Sequence, residues 1–120
     1  MLSDYDAIST TLFNYFEGFK TADRTRLEAA FAVEVGHMKG YIRDKAGSLQ
    51  LTSRPMNEVI DSWAKRTPAP EMKGKIIMIH ILNPRAAIAV FDFDGIFIDT
   101  FQLAKVDAEW RIVNKFYVDQ

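Results

Sequence analysis

With 120 residues, 48% hydrophobic and 26% charged, the chain has the length of one domain, 1–120, and enough apolar content to bury a single core unaided. A net charge of -1 leaves no electrostatic ground for a nucleic-acid or anionic-membrane partner. The absence of cysteine excludes a disulfide framework and a thiolate metal site, and it suits a reducing, cytoplasmic setting.

The first segment reads as a helix. Tyr5, Ile8, Leu12, Tyr15, Phe16 and Phe19 recur at three- and four-residue spacing and share one face. Ser3 stands where an N-cap belongs, with Asp4 and Asp6 in the first turn, and Gly18 and the Lys20-Thr21 step mark the end. A short second helix starts near Asp23 with Leu27, Ala30 and Phe31 as its apolar side. The period then changes. Val33-Glu34-Val35 alternates, Gly36 and Gly40 bracket His37, and Tyr41 to Arg43 with Leu49 to Leu51 predict a small hairpin. Pro55 fits the first turn of a third helix carrying Met56, Val59, Ile60 and Trp63, which Thr67-Pro68-Ala69-Pro70 would stop.

The remainder is rich in Ile, Val and Phe. Lys75 to Leu82, Ala86 to Phe93, Ile96 to Val106 and Trp110 to Val118 predict four strands, separated by Asn83-Pro84, Asp94-Gly95 and Asp107-Ala108. Helices followed by a meander of strands indicate an α+β fold. No basic n-region precedes an apolar run at the start, and no stretch approaches the ~20 apolar residues that span a bilayer, so neither a signal peptide nor a membrane partner is expected.

Two-residue turns at Asp94-Gly95 and Asp107-Ala108 would set the register. They pair Phe93 with Ile96, Val90 with Asp99, Leu103 with Ile112, Phe101 with Asn114 and Asp99 with Phe116, so that Phe97, Asp99, Phe101, Asn114 and Phe116 share one face. The opposite face would carry Phe91, Phe93, Ile96 and Ile98. That second apolar face predicts a homodimer closed through the outside of the sheet. A β-bulge in either strand would flip part of this assignment.

The stretch from Ile98 to Phe116, and above all Trp110-Arg111-Ile112-Val113-Asn114-Lys115-Phe116, resembles the closing hairpin of nuclear transport factor 2-like proteins, with special similarity to their lumazine-binding-like branch. Tyr15-Phe16-Glu17-Gly18, followed by Asp23, Leu27 and Phe31, resembles the first two helices of the same group. The resemblance implies a cone-shaped fold of three helices on a curved, mostly antiparallel sheet, with a pocket between them. Proteins of that fold include dehydratases, isomerases, cyclases and plain binding proteins, so the fold alone assigns no activity, and the lumazine label is not adopted as one. The branch often shows a His-Pro-Asp-like stretch after the second helix. Here that place reads Ala32-Val33-Glu34-Val35, so no base is carried over there.

Asp99, an acid on an apolar strand face, is a candidate general base; the competing reading has it accept hydrogen bonds from buried backbone or from Tyr15 and fix helix to sheet. Asn114 could orient a ligand carbonyl or satisfy Asp99. His37 is a second candidate base, although an edge histidine is the simpler reading, and His80 reads as a core or interface residue. Tyr15, Phe19, Tyr41, Trp63, Phe97, Phe101 and Phe116 are candidates to wall a site for a small apolar or aromatic ligand. No phosphate loop, nucleophile elbow or zinc spacing is present, so neither metal nor cofactor is expected. Two functions remain open: a dimeric ligand-binding domain, or a cofactor-free acid–base enzyme using Asp99 or His37.

Overall fold

The computed structural model describes residues 2–120. Ser3 caps the first helix as its residue type allows, its side chain accepting from the Asp6 N–H, and α1 (Asp4–Thr21) runs until Ala22 adopts a left-handed conformation at φ 54°. Asp23 caps α2 (Arg24–Ala30) in the same way through the Arg26 N–H. The Val33 to Val35 segment is not a strand. It forms a turn in which the Val35 and Gly36 N–H groups both donate to the Ala32 carbonyl. β1 (His37–Arg43) and β2 (Leu49–Pro55) follow as a hairpin longer than its apolar residues suggest, its loop held by Asp44, whose Oδ1 accepts from the Ala46 and Ser48 N–H groups. Pro55 ends β2 and precedes α3 (Met56–Trp63) rather than sitting in its first turn.

Four strands complete the chain: β3 (Gly74–Asn83), β4 (Ala86–Phe93), β5 (Phe97–Val106) and β6 (Glu109–Asp119). With the hairpin they form one open, curved six-stranded sheet in the order β2-β1-β6-β5-β4-β3. β1 joins β6 in parallel and every other pairing is antiparallel. The three helices lie on one face. Ile8, Leu12, Tyr15 and Phe16 of α1, Leu27 of α2 and Met56, Val59 and Ile60 of α3 meet Ala87, Ala89, Phe91, Phe101, Leu103 and Ile112 of the sheet, all of them buried. Helices before strands do give an α+β fold here, and no described helix is long and apolar enough to cross a membrane.

Two local insertions change the expected register. Asp94 and Gly95 do turn the chain at positive φ (55° and 69°), with the Ile96 N–H donating to the Phe93 carbonyl. Ile96 is then left out of the ladder, and Phe93 pairs with Phe97 instead. In the second hairpin Val106 pairs with Glu109 and Leu103 with Ile112 as the turn at Asp107-Ala108 requires, but a bulge lies between Gln102 and Leu103, so that Gln102 faces Asn114. Phe101 therefore pairs with Lys115 and Asp99 with Tyr117. Because strand side chains alternate with period two, one extra residue moves every later side chain to the other face.

The shifted register moves several side chains between faces. Phe91 and Phe93, expected outside, are buried under the helices, and Ile96 sits exposed beyond the turn. Asn114 and Phe116, expected inside, lie on the outer face, where Asn114 accepts from Lys39 Nζ at 2.7 Å and Phe116 packs against Tyr41 at 6.1 Å between ring centroids. His80 is exposed on the outer side of β3, opposite Ile88, and is not a core residue.

Candidate functional site

α1 crosses the concave side of the sheet and brings Tyr15 against β5. The Tyr15 hydroxyl donates to Asp99 Oδ2 at 2.6 Å, while Lys115 Nζ, from the neighbouring β6, lies 3.1 Å from Asp99 Oδ1. This cluster is out of water: Tyr15 and Asp99 are 1% exposed and Lys115 is 4% exposed. Both carboxylate oxygens thus have a partner from a different element, and none of the buried side-chain polar atoms among the described residues lacks one.

Around Lys115 the surroundings are soft. Its Nζ lies 3.6 Å from Met38 Sδ and over the rings of Tyr15, Trp63 and Tyr117, at 5.5, 5.7 and 4.7 Å from their centroids. Cation–π attraction and a weak sulfur acceptor offset part of the cost of burying the ammonium. Among the described residues, Asp99 is its one oxygen partner within bonding distance.

Burial governs the proton affinities of all three groups. It raises the Asp99 carboxyl above its ordinary range, although the Lys115 charge and the hydrogen bonds from Tyr15 and Lys115 pull the other way. It lowers the Lys115 amine, against the opposing pull of Asp99. The Tyr15 hydroxyl is held well above 10.0 by burial and then by the Asp99 charge, so it stays a donor. Asp99 and Lys115 are both pushed toward their uncharged forms, the direction expected when desolvation outweighs mutual attraction.

Next to the cluster is a cavity of about 220 Å³ lined by Tyr15, Phe19, Met38, Trp63, Phe93, Phe97, Asp99, Lys115 and Tyr117. Half-buried Phe19, Trp63, Phe97 and Tyr117 border it toward solvent. The candidates Tyr15, Phe19, Trp63, Phe97 and Asp99 come together here. Phe101 is buried beside Tyr15, at 5.5 Å between centroids, but is core rather than wall. Asn114, Phe116 and Tyr41 are on the outer face, and His37 is exposed at the start of β1, with Nδ1 3.3 Å from the Val35 carbonyl. Met38, Phe93, Lys115 and Tyr117 were not anticipated. For Phe93, Lys115 and Tyr117 the cause is the shifted register, which exchanges neighbours in sequence between the two faces. Among the described residues, no group of three or more His, Cys, Asp or Glu is placed to hold a metal ion.

The model of the family described as "Putative lumazine-binding" matches residues 3–118. The chain belongs to this family. Within the nuclear transport factor 2-like superfamily, its lumazine-binding-like fold is shared by solved relatives. A nuclear transport factor 2-like protein of unknown function from Shewanella baltica is 34% identical, with 98% of this chain and 94% of that chain covered and a TM-score of 0.79. Another, from Methylobacillus flagellatus, is 26% identical over 100% of this chain and 94% of that one, with a TM-score of 0.82. A ketosteroid isomerase-like protein from Erwinia carotovora shares the fold at 12% identity and a TM-score of 0.68, over 99% of this chain and 98% of that one. No curated protein matches the chain.

The cluster's energetics are testable. Asp99→Asn leaves the Lys115 ammonium buried without its counter-charge and is expected to cost about 3–5 kcal/mol in denaturant unfolding. The triple change Tyr15→Phe, Asp99→Leu and Lys115→Met removes all three polar groups together and is expected to restore stability to within about 1 kcal/mol of the parent or above it. An Asp99→Asn variant as stable as the parent would contradict the buried ion pair.

Proposed function

We propose that this family member binds a small, planar, mainly apolar ligand that presents a hydrogen-bond acceptor to Lys115. The supporting observation is an unequal match of donors to acceptors. An ammonium has three N–H donors, Lys115 has one oxygen partner, and the group lines a cavity walled by aromatic rings. A carbonyl or ring nitrogen entering that cavity would supply the missing acceptor, while Phe19, Trp63, Phe97 and Tyr117 cover the ligand's faces.

Size and charge narrow the ligand further. An apolar cavity of roughly 150 Å³ accepts benzene, so about 220 Å³ suits a substituted ring or a compact bicycle. Asp99 already balances Lys115, which favours a neutral acceptor over a carboxylate. Lumazine, the planar bicycle in the family's name, carries carbonyl acceptors and is a direct probe. An acid–base enzyme using Asp99 or His37 draws less support: His37 is outside the cavity, so the two candidate bases do not converge on one ligand.

The test is a titration followed by tryptophan emission, since Trp63 lines the cavity. Lumazine or benzamide is expected to bind saturably and to bind about tenfold or more weakly to the triple variant described above, the loss of a hydrogen bond to a charged donor. Equal affinity for both proteins, or no binding of either probe to the parent, would contradict the reading.

We also propose pairing of two copies through the outer face of the sheet. Met78, Ile88 and Val118 are 40%, 36% and 37% exposed there, next to half-buried Val90, Ile98 and Phe116. Such a face favours an apolar cover. Sedimentation velocity is expected to show a dimer that Val90→Lys converts to monomer. A parent protein that is monomeric at micromolar concentration would overturn the pairing.

A further inference from the structure

Among the cavity's walls one side chain has a use that hydrogen bonding does not exhaust. Lys115 is a primary amine in a site closed to water on most sides, facing a ligand-sized space, with a proton acceptor 3.1 Å away. Exposed lysines such as Lys45 have none of these features.

We propose that Lys115 condenses with an aldehyde or ketone carbonyl on the ligand to form an imine. The proposal rests on reading the cavity as a ligand site, and it narrows the acceptor facing Lys115 to a carbonyl whose carbon is open to attack. A lysine becomes a nucleophile toward carbonyls when desolvation suppresses its charged form. Lys115 fits that description by position. Its amine is flanked by Met38 Sδ and three aromatic rings, and the charged or titratable groups facing it are Asp99 from β5, Tyr15 from α1 and Tyr117 from its own strand. Burial also shifts Lys115 and Asp99 in opposite directions, each toward the uncharged form.

The steps balance with groups already present. Asp99 Oδ1 takes one proton from the Lys115 ammonium, which frees the nitrogen lone pair. The nitrogen attacks the carbonyl carbon, and a proton passes from nitrogen to the former carbonyl oxygen to give a neutral carbinolamine. Asp99 returns its proton to that hydroxyl, the C–O bond breaks, and water leaves past Phe97 and Tyr117. The nitrogen lone pair closes the C=N bond as a protonated imine, which keeps the ion pair with Asp99. No oxidant or reductant takes part. Tyr15 holds Asp99 Oδ2 throughout, which leaves Oδ1 pointing at the amine.

The experiment uses the parent protein, benzaldehyde and sodium cyanoborohydride at neutral pH, with peptide mass mapping of every lysine. Lys115 is expected to be alkylated about tenfold or more faster than exposed Lys45, because the cavity holds the carbonyl beside an amine that has a proton acceptor 3.1 Å away. Labelling at Lys115 should saturate with benzaldehyde concentration and be blocked by benzyl alcohol, which has the same shape and no carbonyl. If Lys115 reacts no faster than Lys45 while benzyl alcohol still perturbs Trp63 emission, the imine is overturned and the ligand site stands. If Lys115 is unreactive and benzyl alcohol leaves Trp63 unchanged, both are overturned.

Discussion

The interior of this fold is arranged around one carboxylate and one ammonium taken out of water together. Asp99 and Lys115 come from adjacent strands and meet beneath α1, where Tyr15 closes the second carboxylate oxygen. An ion pair in such surroundings contributes little net stability, because the desolvation of two charges rivals their attraction. The pair is therefore better understood as a chemical feature of the cavity than as a staple of the fold. Its neighbourhood is consistent with that: besides Asp99 the amine meets sulfur and aromatic faces, and a cavity lies beside it.

The rest of the architecture bounds that space. The curved sheet and α1 enclose the buried end with Tyr15, Met38 and Phe93, while half-buried Phe19, Trp63, Phe97 and Tyr117 stand around the opening. Gly40 matters here. A Cβ at that position would lie 2.2 Å from ring carbons of Tyr117, so the glycine on β1 is what lets Tyr117 stand at the edge of the cavity. The parallel pairing of β1 with β6, which places Gly40 opposite Tyr117, brings Met38 to the amine as well.

How much of this could be read in the chain depends on the scale of the signal. Caps and periodicity located all three helices, since Ser3, Asp23 and the spacing of Ile8, Leu12 and Tyr15 act within one or two turns. The four C-terminal strands were legible within a residue or two, whereas the alternation at Val33 to Val35 forms a turn and the first hairpin is longer than its apolar residues suggest. A resemblance carried by the tail from Trp110 to Phe116 pointed to the superfamily. Asp99 was legible as an inward-facing acid, with buried backbone or Tyr15 as its donor, and Tyr15 is the one the structure shows. Lys115 was not, and its neighbour Asn114 was chosen in its place. The difference is a single bulged residue near Val113, which no local propensity marks, and which exchanges the inward and outward sets for the remainder of β6. Ile96 did the same at the first hairpin and sent Phe91 and Phe93 into the core.

The most direct measurement is the NMR titration of the Lys115 ammonium nitrogen and the Asp99 side-chain carboxyl carbon, with and without benzamide. A lysine buried beside Asp99 and facing a ligand cavity should titrate below its ordinary value of 10.5, with Asp99 above 3.8, and both resonances should move when benzamide is added. A Lys115 that titrates at the ordinary lysine value and does not respond to benzamide would contradict both the burial of the pair and its exposure to the cavity.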